Sequence, residues 1–263
     1  MVAAAAERGW TRFAPDPRIR AWAEAAHRAA LAVVADPQMR AEWLQCEGTW
    51  FVGVDALPTA PDGSIDGTPL RGAVIDALAP LPSLHPAQLS VTYPGYPRPR
   101  AGESDAAFGY RLRRDAAHVD GLIADGPDRR RRIAEPHAFI LGLPLTACGP
   151  GASPLVVWEG SHRVIAEGLR AALADIPAEH WASADITDAY VAARRRAFEI
   201  CRRVELPAAP GEALLLHRMT LHGVAPWQDG ADAPPEGRMV AYFRPPMPGG
   251  AHPWLHAMDE GAA

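Results

Sequence analysis

Along the first third of the chain, apolar positions recur every three to four residues. In "DPRIRAWAEAAHRAALAVVADP", starting at Asp16, the residues Ile19, Trp22, Ala26, Ala30 and Val33 share one helical face, and Pro37 closes the run. "PQMRAEWLQC" predicts a second short helix and "LRGAVIDAL" another. Between them "TWFVGVDAL" predicts a short strand, Trp50 to Val54, and "PTAPDGSIDGTP" a turn-rich loop. Residues 1–85 therefore read as a mostly helical covering layer.

After Pro86 the period shortens towards two. "AQLSVTYPGYP" predicts a strand ending in a turn, and "FGYRLRRDAAHVDG" a strand entering a loop. "HAFILGLPLT" and "SPLVVWEGSH" predict two strands joined by "ACGPGA". Residues 163–203 predict a helical insertion, in which "DAYVAARRRAFEICRRV" carries its basic residues largely on one face. "GEALLLHRMTLHGVAPW" and "GRMVAYFRPP" return to strand, and the chain after Pro245 reads as irregular. Short strands without regular βαβ alternation predict a mainly β fold, a sandwich or barrel with flanking helices. The grouping of the helices predicts one domain over residues 1–263.

Composition narrows the function classes. Among 263 residues, 48% hydrophobic content suffices for a sizeable core. A net charge of −5 argues against nucleic acid as a partner. No stretch is long and apolar enough to span a membrane, and the "VAAAA" start lacks the basic flank and apolar core of a signal peptide. Cys46, Cys148 and Cys201 are odd in number and show no CxxC spacing, so they read as reduced thiols and the protein as cytoplasmic. All 26 basic residues are arginine. The absence of lysine excludes a PLP Schiff base and a P-loop lysine.

The chemistry concentrates in "RRDAAHVDGL". In extended backbone, residues i and i+2 face the same way, so His118 and Asp120 present an imidazole and a carboxylate together. One further histidine would complete a 2-His-1-carboxylate triad, which leaves open positions suited to Fe(II). "LLLHRMTLHG" offers His217 and His222, which face opposite ways on a straight strand. His222 is the chosen ligand, because Gly223 beside it relieves crowding near a metal. His217 is then structural or supporting. Further on, Arg238 can grip a planar carboxylate with its fork of donors, and Arg244 is a competitor of the same parity.

Together "HVD", "SPLVVWEGSHR", "GEALLLHRMTLHG" and Arg238 resemble the phytanoyl-CoA dioxygenase-like branch of the Fe(II)/2-oxoglutarate oxygenases, over roughly residues 88–245. The resemblance implies a double-stranded β-helix, a jelly-roll or cupin-like core with its site at the open end. It implies that His118, Asp120 and His222 bind iron and that Arg238 holds the far carboxylate of 2-oxoglutarate. The implied reaction uses O2, decarboxylates 2-oxoglutarate to succinate and abstracts hydrogen from a small-molecule substrate. Asp120 stands where halogenating relatives have a small residue, which favours hydroxylation. Three features depart from the family: a long gap from His222 to Arg238, Val240 where a small hydroxylated residue is usual, and Gly142 where an aromatic is usual.

Other features have simpler readings. Arginine runs such as "DRRRR" are ordinarily solvated faces; the alternative is that some of them meet an anionic substrate, a carboxylate, phosphate or CoA ester. Ser161–His162 lacks a nucleophile elbow. Trp158 reads as core, and His137 as structural or pocket-lining. Two competing functional readings are a jelly-roll binding protein without redox chemistry and a cupin-like metal enzyme that does not use 2-oxoglutarate. The intact triad argues against the first and Arg238 against the second.

Overall fold

A computed structural model describes residues 3–256. In chain order the elements are α1 (Ala3–Arg8), β1 (Trp10–Phe13), α2 (Pro17–Ala35), α3 (Pro37–Trp43), β2 (Leu44–Gln45), β3 (Trp50–Leu57), α4 (Ala73–Leu78) and β4 (Ala87–Thr92). Next come α5 (Asp105–Arg113), β5 (Leu122–Asp125), β6 (Arg130–Ile133), β7 (Phe139–Pro144), β8 (Leu155–Glu159), α6 (Ser161–Leu173) and α7 (Thr187–Ile200). The last are β9 (Arg202–Leu206), β10 (Ala213–His217), β11 (His222–Val224), β12 (Arg238–Phe243) and α8 (Ala251–His256).

The strands form a seven-stranded sheet, β1-β10-β7-β12-β4-β3-β2, a three-stranded sheet, β11-β8-β9, and the β5-β6 hairpin. Strand alternation explains how they stack. In the large sheet, Leu89, Val91, Leu141, Leu215, Met239 and Phe243 turn to one side, onto Ile19, Trp22 and Ala26 of α2. Their neighbours Ile140, Leu214 and Leu216 turn the other way and meet Leu155 and Val157 of β8 and Leu206 of β9. The far face of β8, Val156 and Trp158, packs on Ile165 and Leu169 of α6 and Tyr190 of α7. The order is thus helix, large sheet, small sheet, helices, with apolar surface buried at each junction.

Sequence and structure differ at several places. The "FGYRLRR" segment is the helix α5, not a strand. Residues 1–85 supply helices and the expected strand at Trp50, which is β3, but β1, without a sequence signal, also joins the large sheet. The β10 to β11 region is not one strand: a turn at residues 218–221 carries the chain from the large sheet to the small one. The segment after Pro245, expected to be irregular, contains α8. The 163–203 insertion is helical up to Ile200, as α6, a 3-10 turn at Ala178–Ser183, and α7, while Arg202 and Arg203 already belong to β9. No described helix is long and apolar enough to cross a membrane.

Candidate metal centre

Two segments build the centre, and backbone hydrogen bonds join them. His118 lies in the loop after α5, and His222 opens β11. The His118 N–H donates to the His222 carbonyl at 2.8 Å, and the His222 N–H returns to the His118 carbonyl at 3.0 Å. This two-bond rung brings the imidazoles to 4.7 Å between ring centroids. Asp120, two residues on, turns to the same side. Its Oδ1 lies 3.1 Å from His118 Nε2 and 3.7 Å from His222 Nε2. All three donor atoms fall within 4.8 Å of one another.

The approach to the centre is forced at Asp115 and Ala116, which adopt left-handed backbone conformations at φ 52° and 54°. Asp115 is held by a two-pronged ion pair with Arg203, at 2.7 and 2.9 Å, and its carbonyl accepts the Val224 N–H at 2.8 Å. Gly223 is required for that closeness. A Cβ there would stand 2.1 Å from the Asp115 carbonyl oxygen. Its role is therefore to admit the loop backbone, rather than to relieve crowding at a metal.

Ring orientation is fixed from behind. His118 Nδ1 donates to the Ala116 carbonyl at 3.0 Å and His222 Nδ1 to the Thr220 carbonyl at 2.9 Å. Each Nδ1 faces a carbonyl and so carries a proton, which leaves Nε2 of each ring, on the Asp120 side, as the ligating atom. Burial lowers the His222 pKa to about 4, so this imidazole is neutral at pH 7 and ready to ligate. Burial pushes the Asp120 carboxyl up, but His222, His118 and Arg244 outweigh it and hold the group well below the usual carboxylate range. For His118, burial works downward and the Asp120 hydrogen bond upward, with a net rise. Two imidazole Nε2 atoms and one carboxylate oxygen on one side suit a divalent transition metal such as Fe(II).

A cavity of about 220 Å3 opens over these donors, between the two sheets. Ile140, Leu155 and Tyr242 give it apolar walls, while Gln88, Ser90 and Arg244 give it polar ones. Arg244 reaches within 3.5 Å of Asp120 Oδ2, and its Nε is buried without a partner. Arg238 opens β12 opposite Thr92 and lies on the same strand face as Tyr242, at the end away from Arg244. It forms no ion pair among the described residues, and it does not line this cavity. Tyr242 pairs with Gly142, and a Cβ on that glycine would meet the tyrosine ring at 2.9 Å. The tyrosine ring thus packs over the Gly142 position. Ser90 stands opposite Val240 and brings a hydroxyl to the cavity.

The other residues singled out have structural roles. His217 ends β10, buried against His162 with ring centroids 4.9 Å apart, and is not part of the centre. Ser161 accepts the Leu221 N–H at 2.9 Å, which braces the turn into β11. Trp158 is core, edge-on to Phe198 at 5.0 Å. His137 bridges to Pro246 and lines a separate opening beside Arg244. Among the described residues the three cysteines are free. Gln88, Ser90 and Tyr242 carry no signal in a single sequence, because only the strand register turns them inward.

No protein-family model matches the chain, and neither does any curated protein. Three solved structures that superpose are similar over most of their length. AviO1 from Streptomyces viridochromogenes Tue57 gives a TM-score of 0.47 at 14% identity, over 94% of this chain and 93% of its own. SnoK, described as a non-heme alpha-ketoglutarate dependent carbocyclase from nogalamycin biosynthesis, gives 0.46 at 12% identity, over 93% and 84%. EctD from S. alaskensis, solved with 2-oxoglutarate and 5-hydroxyectoine, gives 0.41 at 16% identity, over 93% and 76%. All three scores lie below 0.5, and the functional reading rests on this chain's own geometry.

Proposed function

We propose that the chain is an Fe(II)- and 2-oxoglutarate-dependent dioxygenase with a double-stranded β-helix core, of the phytanoyl-CoA dioxygenase-like kind its motifs resemble, and that it hydroxylates a small molecule. One observation carries this reading: His118 Nε2, Asp120 Oδ1 and His222 Nε2 converge while both Nδ1 atoms are committed to carbonyls. Three protein donors leave room on a six-coordinate ion for a chelating co-substrate and O2. Bound there, iron and 2-oxoglutarate supply the O2 activation and the oxidising power, with succinate and CO2 as by-products.

The chain's own residues do the rest. His118 and His222 each present Nε2; His222 is already neutral, and His118 gives up the proton it shares with Asp120 when it ligates. Asp120 adds a single negative charge, which leaves the loaded centre attractive to a dianion. Arg244 is level with the donors, whereas Arg238 lies along the same strand face at its far end. Arg238 is assigned the distal carboxylate because the family resemblance implies it, and Arg244, which lines the cavity, is its competitor. Ile140, Leu155 and Tyr242 exclude water around the reacting atoms. A carboxylate at 120 fills the position a halide would take, which supports hydroxylation over halogenation.

Anaerobic titration with Fe(II) and then 2-oxoglutarate tests the reading. The expected result is a charge-transfer absorption band in the parent, absent in His118→Ala and weakened in Arg238→Ala. Succinate release under Fe(II), ascorbate and O2 should follow the same order. If the parent binds Fe(II) but not 2-oxoglutarate, the dioxygenase reading is wrong and a metal enzyme of another kind replaces it. If Arg244→Ala, and not Arg238→Ala, raises the 2-oxoglutarate dissociation constant, the anchor is Arg244.

A further inference from the structure

A second cavity, of about 320 Å3, lies on the other side of His118. It shares Trp50 and His118 with the metal cavity, so the two meet at a ligand. Five arginines line it: Arg100, Arg111, Arg114, Arg131 and Arg194. They come from separate parts of the chain, with Arg111 on α5, Arg131 on β6 and Arg194 on α7. Arg131 is the inward member of the "RRRR" run. It is half-buried while Arg130 and Arg132 on either side are turned more to solvent, as strand alternation requires.

The partners of these arginines are unusual for a solvated face. Only Arg111 is neutralised, by a two-pronged bond to Glu103 at 2.9 and 2.7 Å, and its Nη1 remains buried without a partner. None of the other four forms an ion pair among the described residues. They lie against aromatic faces, and Arg131 also donates from Nη1 to the Leu122 carbonyl at 2.6 Å. Arg131 and Arg194 lie 5.2 and 5.3 Å from the Tyr190 ring, Arg100 lies 5.5 Å from Trp50, and Arg114 lies 4.4 Å from Phe198. A ring face fixes a guanidinium but leaves most of its in-plane N–H donors free, whereas a carboxylate would occupy them. Burial, with smaller parts from the nearby Arg194 and Arg129, lowers the Arg131 pKa.

We propose that this cavity holds a phosphate group of the primary substrate, with the carbon to be oxidised reaching past His118 to the metal. The inference rests on the oxygenase reading and specifies its substrate class. Five arginines against one glutamate leave four positive charges uncompensated. A single carboxylate would engage one fork, while a phosphate or diphosphate offers enough oxygens for several.

Calorimetric titration of the full chain with inorganic pyrophosphate, without iron or 2-oxoglutarate, tests the site. One binding event is expected, weakening as salt is raised. Arg131→Gln and Arg194→Gln should each lower affinity by about tenfold or more. Tricarballylate, a carboxylate probe of similar charge, should bind at least about tenfold more weakly. Arg100→Gln, at the exposed rim, provides a variant less able to disturb folding, and melting curves check all three. Pyrophosphate affinity unchanged in these variants, or a preference for tricarballylate, would overturn the proposal. His222→Ala separates the two readings. It should lose Fe(II) and keep pyrophosphate, so a parent that binds pyrophosphate but no Fe(II) defeats the oxygenase reading alone.

Discussion

At the scale of single residues, a glycine sets how closely the two ligand-bearing segments approach. Gly223 lets the Asp115 carbonyl come where a Cβ would sit 2.1 Å away, and both partners are backbone, so neither can swing aside. Gly223→Ala should cost about 1–3 kcal/mol of stability through overpacking. It should also push His118 away from His222 and weaken Fe(II) binding, as a metal titration and a melting curve would show together. Metal affinity unchanged in a folded Gly223→Ala would mean that the rung tolerates displacement. The two histidines of "LHRMTLH" separate by the same experiment. His217→Gln should retain Fe(II) and lose only stability, because its ring packs on His162 and not on the centre. His222→Ala should bind no Fe(II). That contrast was legible in the sequence as a choice between two residues, but the reason assumed for it, opposite faces of one straight strand, does not hold. A turn stands between them.

At the scale of elements, periodicity located the long pieces and missed the short or locally capped ones. The α2 stripe is visible because Ile19, Trp22 and Ala26 repeat at helical spacing over many turns. Its start is equally visible: Asp16 accepts from the Arg18 N–H at 2.8 Å, and Pro17 follows. Asp16 Oδ2 also accepts the Ala73 N–H at 2.9 Å and so ties α2 to α4. Asp16→Ala should therefore lower stability by about 1–2 kcal/mol in denaturant unfolding, with no change in metal affinity. A loss well below this range would mean that water replaces the cap. The segment "FGYRLRRDAAHVDG" reads in sequence as a strand entering a loop. The overriding signals were local ones, Ser104 capping the Ala107 N–H and Arg111 and Arg113 in the last turn. β1 is four residues long, too short for any period to register, and only its pairing with β10 gives it a role.

At the scale of the whole molecule, the layers explain why the centre lies where it does. The large sheet is covered on one side by α2 and the small sheet by α6 and α7, so the interior between the sheets has no other cover than its own side chains. The donors sit at the edge of that interior, on β11 and on the loop that pairs with it. The sequence carried the pattern of strands and the triad. It did not carry the strand order, in which β12 lies between β7 and β4, because those contacts join residues far apart in the chain. The outer edge of β10 depends on β1, whose Trp10 also donates to Glu159 across the sheets at 3.0 Å. Removing residues 1–13 should bare that edge and produce concentration-dependent association in light scattering. A shortened chain that stays monodisperse would show that another segment covers it.

The paired backbone bonds between His118 and His222 have a consequence for how the centre is filled. Folding itself assembles the donor set, so the ion arrives at a prepared cradle. A chelator should strip the ion reversibly and leave the fold intact, with the melting temperature moving only as mass action dictates. In hydrogen–deuterium exchange the two amides of that rung should be among the slowest near the centre even in the stripped protein. Fast exchange at both would show instead that the ion draws the segments together.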